Sequence, residues 1–203
     1  MNKEYMLIGL TGPTGAGKSM VSSYFEKQGF GIVDADKIAH KALLDDECIR
    51  ALTEAFTEDI LNEDGSINRA KTARAAFSTS ENTKKLNSIT HPVILRLAKA
   101  EFERLSGEGF NRIIFDAPTL FESGADKMCQ KIIVVTASLK VRLTRLIARD
   151  SHRTKEEILS RINAQKPDEY YKERADFVIE NSGDTEGLEN QIKTIIRELL
   201  NEQ

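Results

Sequence analysis

The stretch Gly12-Pro13-Thr14-Gly15-Ala16-Gly17-Lys18-Ser19, directly after the apolar run Tyr5-Met6-Leu7-Ile8, constrains the fold of this chain more than any other. It matches the pattern G-x-x-x-x-G-K-[ST] at every required position. The glycines let successive backbone N–H groups turn inward around an anion. Lys18 is expected to reach the β- and γ-phosphates of a nucleoside triphosphate, and the Ser19 hydroxyl to hold Mg²⁺. The loop needs a strand before it and a helix after it, whose positive end faces the same phosphates. Both flanks are present, because Met20, Val21, Tyr24 and Phe25 recur at helical spacing. The N-terminal segment to about Lys27 is therefore expected to be a strand–loop–helix unit that binds a nucleoside triphosphate.

The chain has 203 residues, which suits one domain with a subdomain set into it, and a 40% apolar content is enough for a core. A net charge of −3 argues against a general nucleic-acid or membrane-surface binder, so an anion site has to be built locally in a cleft. Cys48 and Cys129 are far apart without CxxC spacing, which fits reduced thiols in a cytoplasmic protein. The N-terminal apolar run is too short for a signal peptide, and no segment approaches the ~18–20 apolar residues of a membrane span.

Short apolar runs at Met6–Leu10, Gly31–Asp34, Arg112–Phe115 and Lys131–Val135 predict buried parallel strands, with a weaker fifth at Asp176–Ile179. Helical periodicity separates them, which predicts a sheet with helices on both faces. The first helix spans about Lys18 to Lys27 and stops at Gly29. About eighty residues of helical pattern separate the second and third strands, more than a crossover needs. They predict a helical insertion broken at Glu63-Asp64-Gly65-Ser66 and again near Thr90-His91-Pro92, and insertions over strand ends usually build a substrate pocket. From Ser138 a helix carries Leu139, Leu143, Leu146 and Ile147 as its apolar stripe, with Arg142, Arg145 and Arg149 on other faces. A second helix starts at the capping-box pair Thr154 and Glu157 and ends near Lys166-Pro167. This polar, arginine-bearing hairpin suits a mobile lid. The last helix, about Thr185 to Leu200, places Leu188, Ile192, Ile195, Ile196 and Leu199 on one face for packing on the sheet.

Asp34-Ala35-Asp36 closes the second strand. In an extended segment both carboxylates face the same way, toward the crevice above the sheet. One of them then suits the group that orients an acceptor hydroxyl and takes its proton. The ordinary alternative is that one of the pair caps the following helix. Asp116 ends an apolar strand, as the aspartates that support Mg²⁺ in phosphate-loop proteins do, but strand-end aspartates are common. Arg145 and Arg149 form a cationic clamp on the transferred phosphoryl group or remain solvated. His91-Pro92 reads as a helix start with proline at its first position, where the histidine is free to meet a substrate phosphate.

Taken in order along the chain, these segments resemble the dephospho-coenzyme A kinase family. The resemblance is carried by Leu10-Thr11-Gly12, Val33-Asp34-Ala35-Asp36, Asp64-Gly65-Ser66-Ile67-Asn68-Arg69 and His91-Pro92. It continues through Asp116-Ala117-Pro118-Thr119-Leu120-Phe121-Glu122, Arg145, Arg149-Asp150, Gln165 and Ala175-Asp176-Phe177-Val178-Ile179-Glu180-Asn181. The phosphate loop is shared by a superfamily, whereas the other segments in this order are far more specific. The resemblance implies a P-loop kinase-like five-stranded parallel sheet flanked by helices, with a helical acceptor-binding insertion and a helical lid. It implies one domain over residues 1–203: a core at about 1–38, 110–140 and 175–203, an insertion at about 39–109 and a lid at about 150–174. The implied reaction transfers the γ-phosphate of ATP to the ribose 3′-hydroxyl of dephospho-coenzyme A, giving coenzyme A and ADP, with Mg²⁺ on Ser19.

In that mapping Asp36 is the base, with Lys18 and Arg145 as its catalytic cations. Thr14, Gly15, Ala16, Gly17, Lys18, Ser19 and Asn181 bind ATP, Asn181 by the adenine, and Asp34, Arg69, His91 and Pro118 meet the acceptor. Two departures stand out: Pro118-Thr119-Leu120 replaces the usual Pro-Leu-Leu, and Pro13-Thr14 replaces Gly-Ile. Neither removes a chemical group. A shikimate or gluconate kinase shares the phosphate loop and an Asp-x-Asp pair, but such chains are shorter and lack the insertion. A nucleotide-dependent switch is the non-enzymatic alternative, although the chain has no Asn-Lys-x-Asp segment.

Overall fold

The fold is that of a computed structural model, described for residues 5–201. The chain divides into two compact units, one formed by the chain up to Ile32 and from Leu105 onward, the other by Val33–Arg104.

The first unit carries most of a five-stranded sheet. Strands β1 (Met6–Thr11), β2 (Gly31–Asp34), β3 (Arg112–Asp116), β4 (Lys131–Thr136) and β5 (Phe177–Glu180) lie in the order β2-β3-β1-β4-β5. The pairs β1/β3, β1/β4 and β4/β5 are parallel, with Leu10 opposite both Asp116 and Ile133. All five strands fall within a residue or two of the runs expected from the sequence. Ile8, Leu10, Ile114, Ile133 and Val135 are fully buried, so β1 and its neighbours read as continuous apolar runs, as strands covered on both faces must.

Helix α1 (Lys18–Lys27) returns from the phosphate loop and ends at Gly29. Its Val21 and Phe25 join the core with the buried stripe of the last helix, α9 (Thr185–Asn201). That stripe is the expected Leu188, Ile192, Ile195, Ile196 and Leu199. Each fully buried aliphatic side chain contributes about 1.5–3 kcal/mol, so docking on the sheet outweighs intrinsic propensity in ordering α9. Between β4 and β5 lie α6 (Leu139–Arg149), α7 (Lys155–Asn163) and α8 (Asp168–Lys172). The capping box at Thr154 and Glu157 is formed. Contrary to the expected stripe, Leu139 and Ile147 of α6 are exposed, while Arg142 and Leu146 are buried. Ile158 and Ile162 of α7 pack on Leu146, so the buried face of α6 is turned toward Arg142.

The second unit is helical: α2 (Ala35–Ala42), α3 (Asp46–Phe56), α4 (Arg69–Ala76) and most of α5 (Ser80–Gly107). Cys48, Leu52 and Phe56 of α3, Ile60, Ile67, Ala76 and Val93 form its core. The break expected at Glu63–Ser66 is present: Asp64 accepts from the Ser66 amide and hydroxyl, and Leu61 bridges Ile67. Asn68 then caps α4, which makes Arg69 its first helical residue. The break expected at Thr90-His91-Pro92 is absent, because α5 runs through it with Pro92 inside. Proline there removes one backbone bond and crowds the preceding turn, at a cost of about 3 kcal/mol. The helix continues because it is held on both sides, by Leu86 and Ile89 upstream and by Val93 and Ala98 downstream.

Candidate active site

The phosphate loop connects β1 to α1 by a path only glycine follows. Gly12 has φ +145, and a Cβ there would run into the Val135 carbonyl of β4. Gly17 has φ +94, heads α1 in the left-handed conformation and has no side chain with which to cap it. A helix start of this kind offers backbone donors and the positive end of its dipole to an anion. Lys18 Nζ donates to the Gly12 carbonyl at 3.5 Å, which folds the side chain back over the loop, and Ser19 is exposed in the first turn of α1.

The loop is braced from behind by groups from α6 and from the segment before α8. Arg142, only 5% exposed, donates Nε to the Thr14 carbonyl at 2.9 Å, Nη2 to Gln165 Oε1 at 3.3 Å and Nη1 to Asp168 at 3.1 Å. Gln165 Oε1 also accepts from the Thr14 amide at 2.9 Å, so both backbone groups of Thr14 are held. Arg145 donates Nη1 to the Ala16 carbonyl at 3.2 Å and Nη2 to Asn181 Oδ1 at 3.3 Å. The buried Asn181 donates Nδ2 to the same Ala16 carbonyl at 2.8 Å. Arg145 and Asn181 therefore meet each other at the Ala16 carbonyl of the loop. Arg149 does not join them, since its guanidinium pairs with Asp150.

Arg142 and Gln165 are site residues that the sequence reading left out of the site. Arg142 lies four residues before Leu146 on the buried side of α6. The exposed Leu139 and Ile147 drew the apolar stripe away from it.

Pro118 follows β3 and its carbonyl accepts from Thr11 Oγ1 at 3.4 Å, while Thr119 is exposed. Phe121 in the same loop packs edge-on against Tyr170 of α8. Tyr171 beside it is buried, which pushes its hydroxyl pKa up to about 12.

The second unit carries the Asp34/Asp36 pair, and the extended reading of the pair fails. The strand ends at Asp34, and Ala35 and Asp36 are already helical. Asp34 is the N-cap of α2, and its Oδ1 accepts from the Asp36 amide at 2.9 Å and the Lys37 amide at 3.1 Å. Asp36 is exposed in the first turn of the helix that Asp34 caps. One aspartate fixes the backbone and the other presents a carboxylate to solvent. Arg69, exposed at the start of α4, lines a cavity of about 460 Å³ with Leu43, Thr72, Phe77 and Thr90. His91 lies within α5, half-buried, and burial lowers its pKa below the usual imidazole value. That burial disfavours an imidazolium, and a helix-start role is excluded.

A hydroxyl at Ser19 and a carboxylate at Asp116 are hard oxygen donors suited to Mg²⁺, which keeps several waters and phosphate oxygens as ligands.

The sequence profile described as dephospho-CoA kinase matches residues 6–187. The chain belongs to the dephospho-CoA kinase family. A dephospho-CoA kinase of Corynebacterium efficiens is 39% identical over 194 residues, covering 95% of this chain and 96% of its own. A crystal structure of a Thermus thermophilus protein superposes with a TM-score of 0.84 at 34% identity, over 97% of this chain and 99% of its own. The dephospho-CoA kinase structure from Campylobacter jejuni gives a TM-score of 0.70 at 26% identity, over 95% of this chain and 96% of its own. Membership of the dephospho-CoA kinase family makes the protein an ATP-dependent kinase that phosphorylates dephospho-CoA to coenzyme A, the last step of coenzyme A biosynthesis. It decides against the other small-molecule kinases and the switch protein that share the loop.

Proposed function

We propose that the phosphate loop and the groups bracing it bind ATP, and that the helical insertion and the loop at Pro118 meet the acceptor. The observation that carries it is the loop Gly12–Ser19, braced by Arg142, Arg145 and Asn181, in a chain of this family. Thr14, Gly15, Ala16, Gly17, Lys18 and Ser19 bind the phosphates of ATP, and Asn181 borders the adenine. Lys18 and Arg145 offset the charge that develops as the γ-phosphoryl group leaves. Ser19 would hold Mg²⁺, which would supply charge neutralisation on the phosphates, and Asp116 is the strand-end carboxylate paired opposite Leu10.

Asp36 takes the proton from the ribose 3′-hydroxyl of dephospho-CoA as its oxygen attacks the γ-phosphorus. The bond to the β-γ bridging oxygen breaks and ADP leaves. Asp34 acts on the acceptor side by holding Asp36 in place, and Arg69, His91 and Pro118 bind the acceptor. Residues at about 39–109 form the acceptor-binding part and those at about 150–174 the lid. The unpaired thiols of Cys48 and Cys129 support a cytoplasmic location.

The test is a panel of acceptors assayed for ADP release. Dephospho-CoA is expected to be the preferred acceptor, with the product phosphorylated on the 3′-oxygen. Turnover of shikimate or a nucleoside monophosphate without turnover of dephospho-CoA would sink the reading.

A further inference from the structure

The acceptor of this reaction has two chemically different ends. One end is an adenosine whose 3′-hydroxyl reacts; the other, beyond a diphosphate, is the pantetheine arm, with a gem-dimethyl group, two amides and methylene stretches. A base and a triphosphate loop account for the first end and leave the arm without a place.

We infer that the cavity enclosed by α2, α4 and α5 receives the pantetheine arm. This rests on the reading of Asp36 as the base. The cavity, about 460 Å³, has the size of a small-molecule site and is lined mainly by carbon. Asp36, Ala39 and Leu43 share one face of α2, and Ala39 and Leu43 line the cavity. At about 1.5 Å of rise per residue, Leu43 lies roughly 10 Å along the helix from Asp36. The arm therefore starts beyond a diphosphate's length from the reacting ribose, on the same helix face. Arg69 lines the cavity and supplies a cation for the diphosphate between the two ends.

Two further features match the arm's chemistry. Phe77, at the end of α4, is 67% exposed although it lines the cavity, and an aromatic left open in this way gains burial when an aliphatic chain covers it. The buried hydroxyls of Thr72 and Thr90 also line the cavity, and each donates to the carbonyl four residues earlier in its own helix, at 2.9 Å in both cases. With their protons committed, they present acceptor oxygen, which is what the amide N–H groups of the arm require.

The test measures binding to the full chain with the donor site filled by a non-hydrolysable ATP analogue. The ligands are dephospho-CoA and AMP, which shares the adenosine end and lacks the arm. Phe77→Ala removes the open aromatic face, and Ala73→Leu fills the cavity from α4. Both are expected to raise the Kd for dephospho-CoA at least ~10-fold while shifting the Kd for AMP less than ~2-fold. An unchanged Kd for dephospho-CoA in both variants overturns the inference, and so does an equal loss for AMP. An Asp36→Asn variant with near-normal kcat would instead overturn the reading of Asp36 and leave the two binding results standing.

Discussion

A Cβ at position 17 would meet the Asn181 amide nitrogen, on a backbone already at φ +94. Gly17→Ala thus adds left-handed strain of roughly 1–2 kcal/mol and displaces a hydrogen bond of roughly 0.5–1.5 kcal/mol from the Ala16 carbonyl. The expected result is a loss of ATP affinity of at least ~10-fold by calorimetry; an unaltered Kd would show that the loop tolerates the shift. Asp36→Asn keeps shape and removes the basic oxygen. It is expected to lower kcat at least ~10²-fold with ATP binding little changed, and a near-normal kcat removes Asp36 from the base role. The backbone course of the phosphate loop was legible in the sequence, because glycine spacing encodes a positive-φ path directly. The roles of Asp34 and Asp36 were not separable, since the same carboxylate serves as a helix cap or a base depending on where the strand ends. Arg142 stayed hidden because a charged residue buried by hydrogen bonding leaves no mark in an apolar pattern.

Asp150 ties α6 to α7, accepting from Arg149 Nε at 2.7 Å and Arg161 Nη1 at 3.3 Å. These guanidiniums, Arg149 foremost, hold its carboxyl below the usual range. A carboxyl depressed in the folded state stabilises above its unfolded pKa of about 4, and that stabilisation is lost as pH falls through the lower folded value. Asp150→Asn is therefore expected to speed amide exchange across α7 at neutral pH, with the gap between variant and wild type closing in acid. A gap that persists once the carboxyl is protonated would trace the effect to packing. Element boundaries were legible where local chemistry sets them: the Thr154 box, the strands and the stripe of α9. Pro92 misled because proline reports a local cost, and the contacts that outweigh it come from residues distant in sequence.

For the whole molecule, ATP binding and folding are linked. With MgATP at about a hundred times its Kd, the folded state gains about 2.7 kcal/mol, or roughly 5–10 °C in Tm for a chain of this size. A thermal scan showing no shift would count against nucleotide binding. Without ligand, residues 151–172 are expected to exchange faster than the sheet, and equal protection would remove the lid from the mechanism. The division between the two units falls inside β2, between Ile32 and Val33, and inside α5, between Arg104 and Leu105. Neither crossing is a linker. Cutting out residues 33–104 would sever a strand and a helix in mid-course, so the second unit, proposed above to meet the acceptor, is not a transplantable module. Replacing that unit means redesigning helix surfaces in place, since among the described residues both crossings between the units run through a strand or a helix.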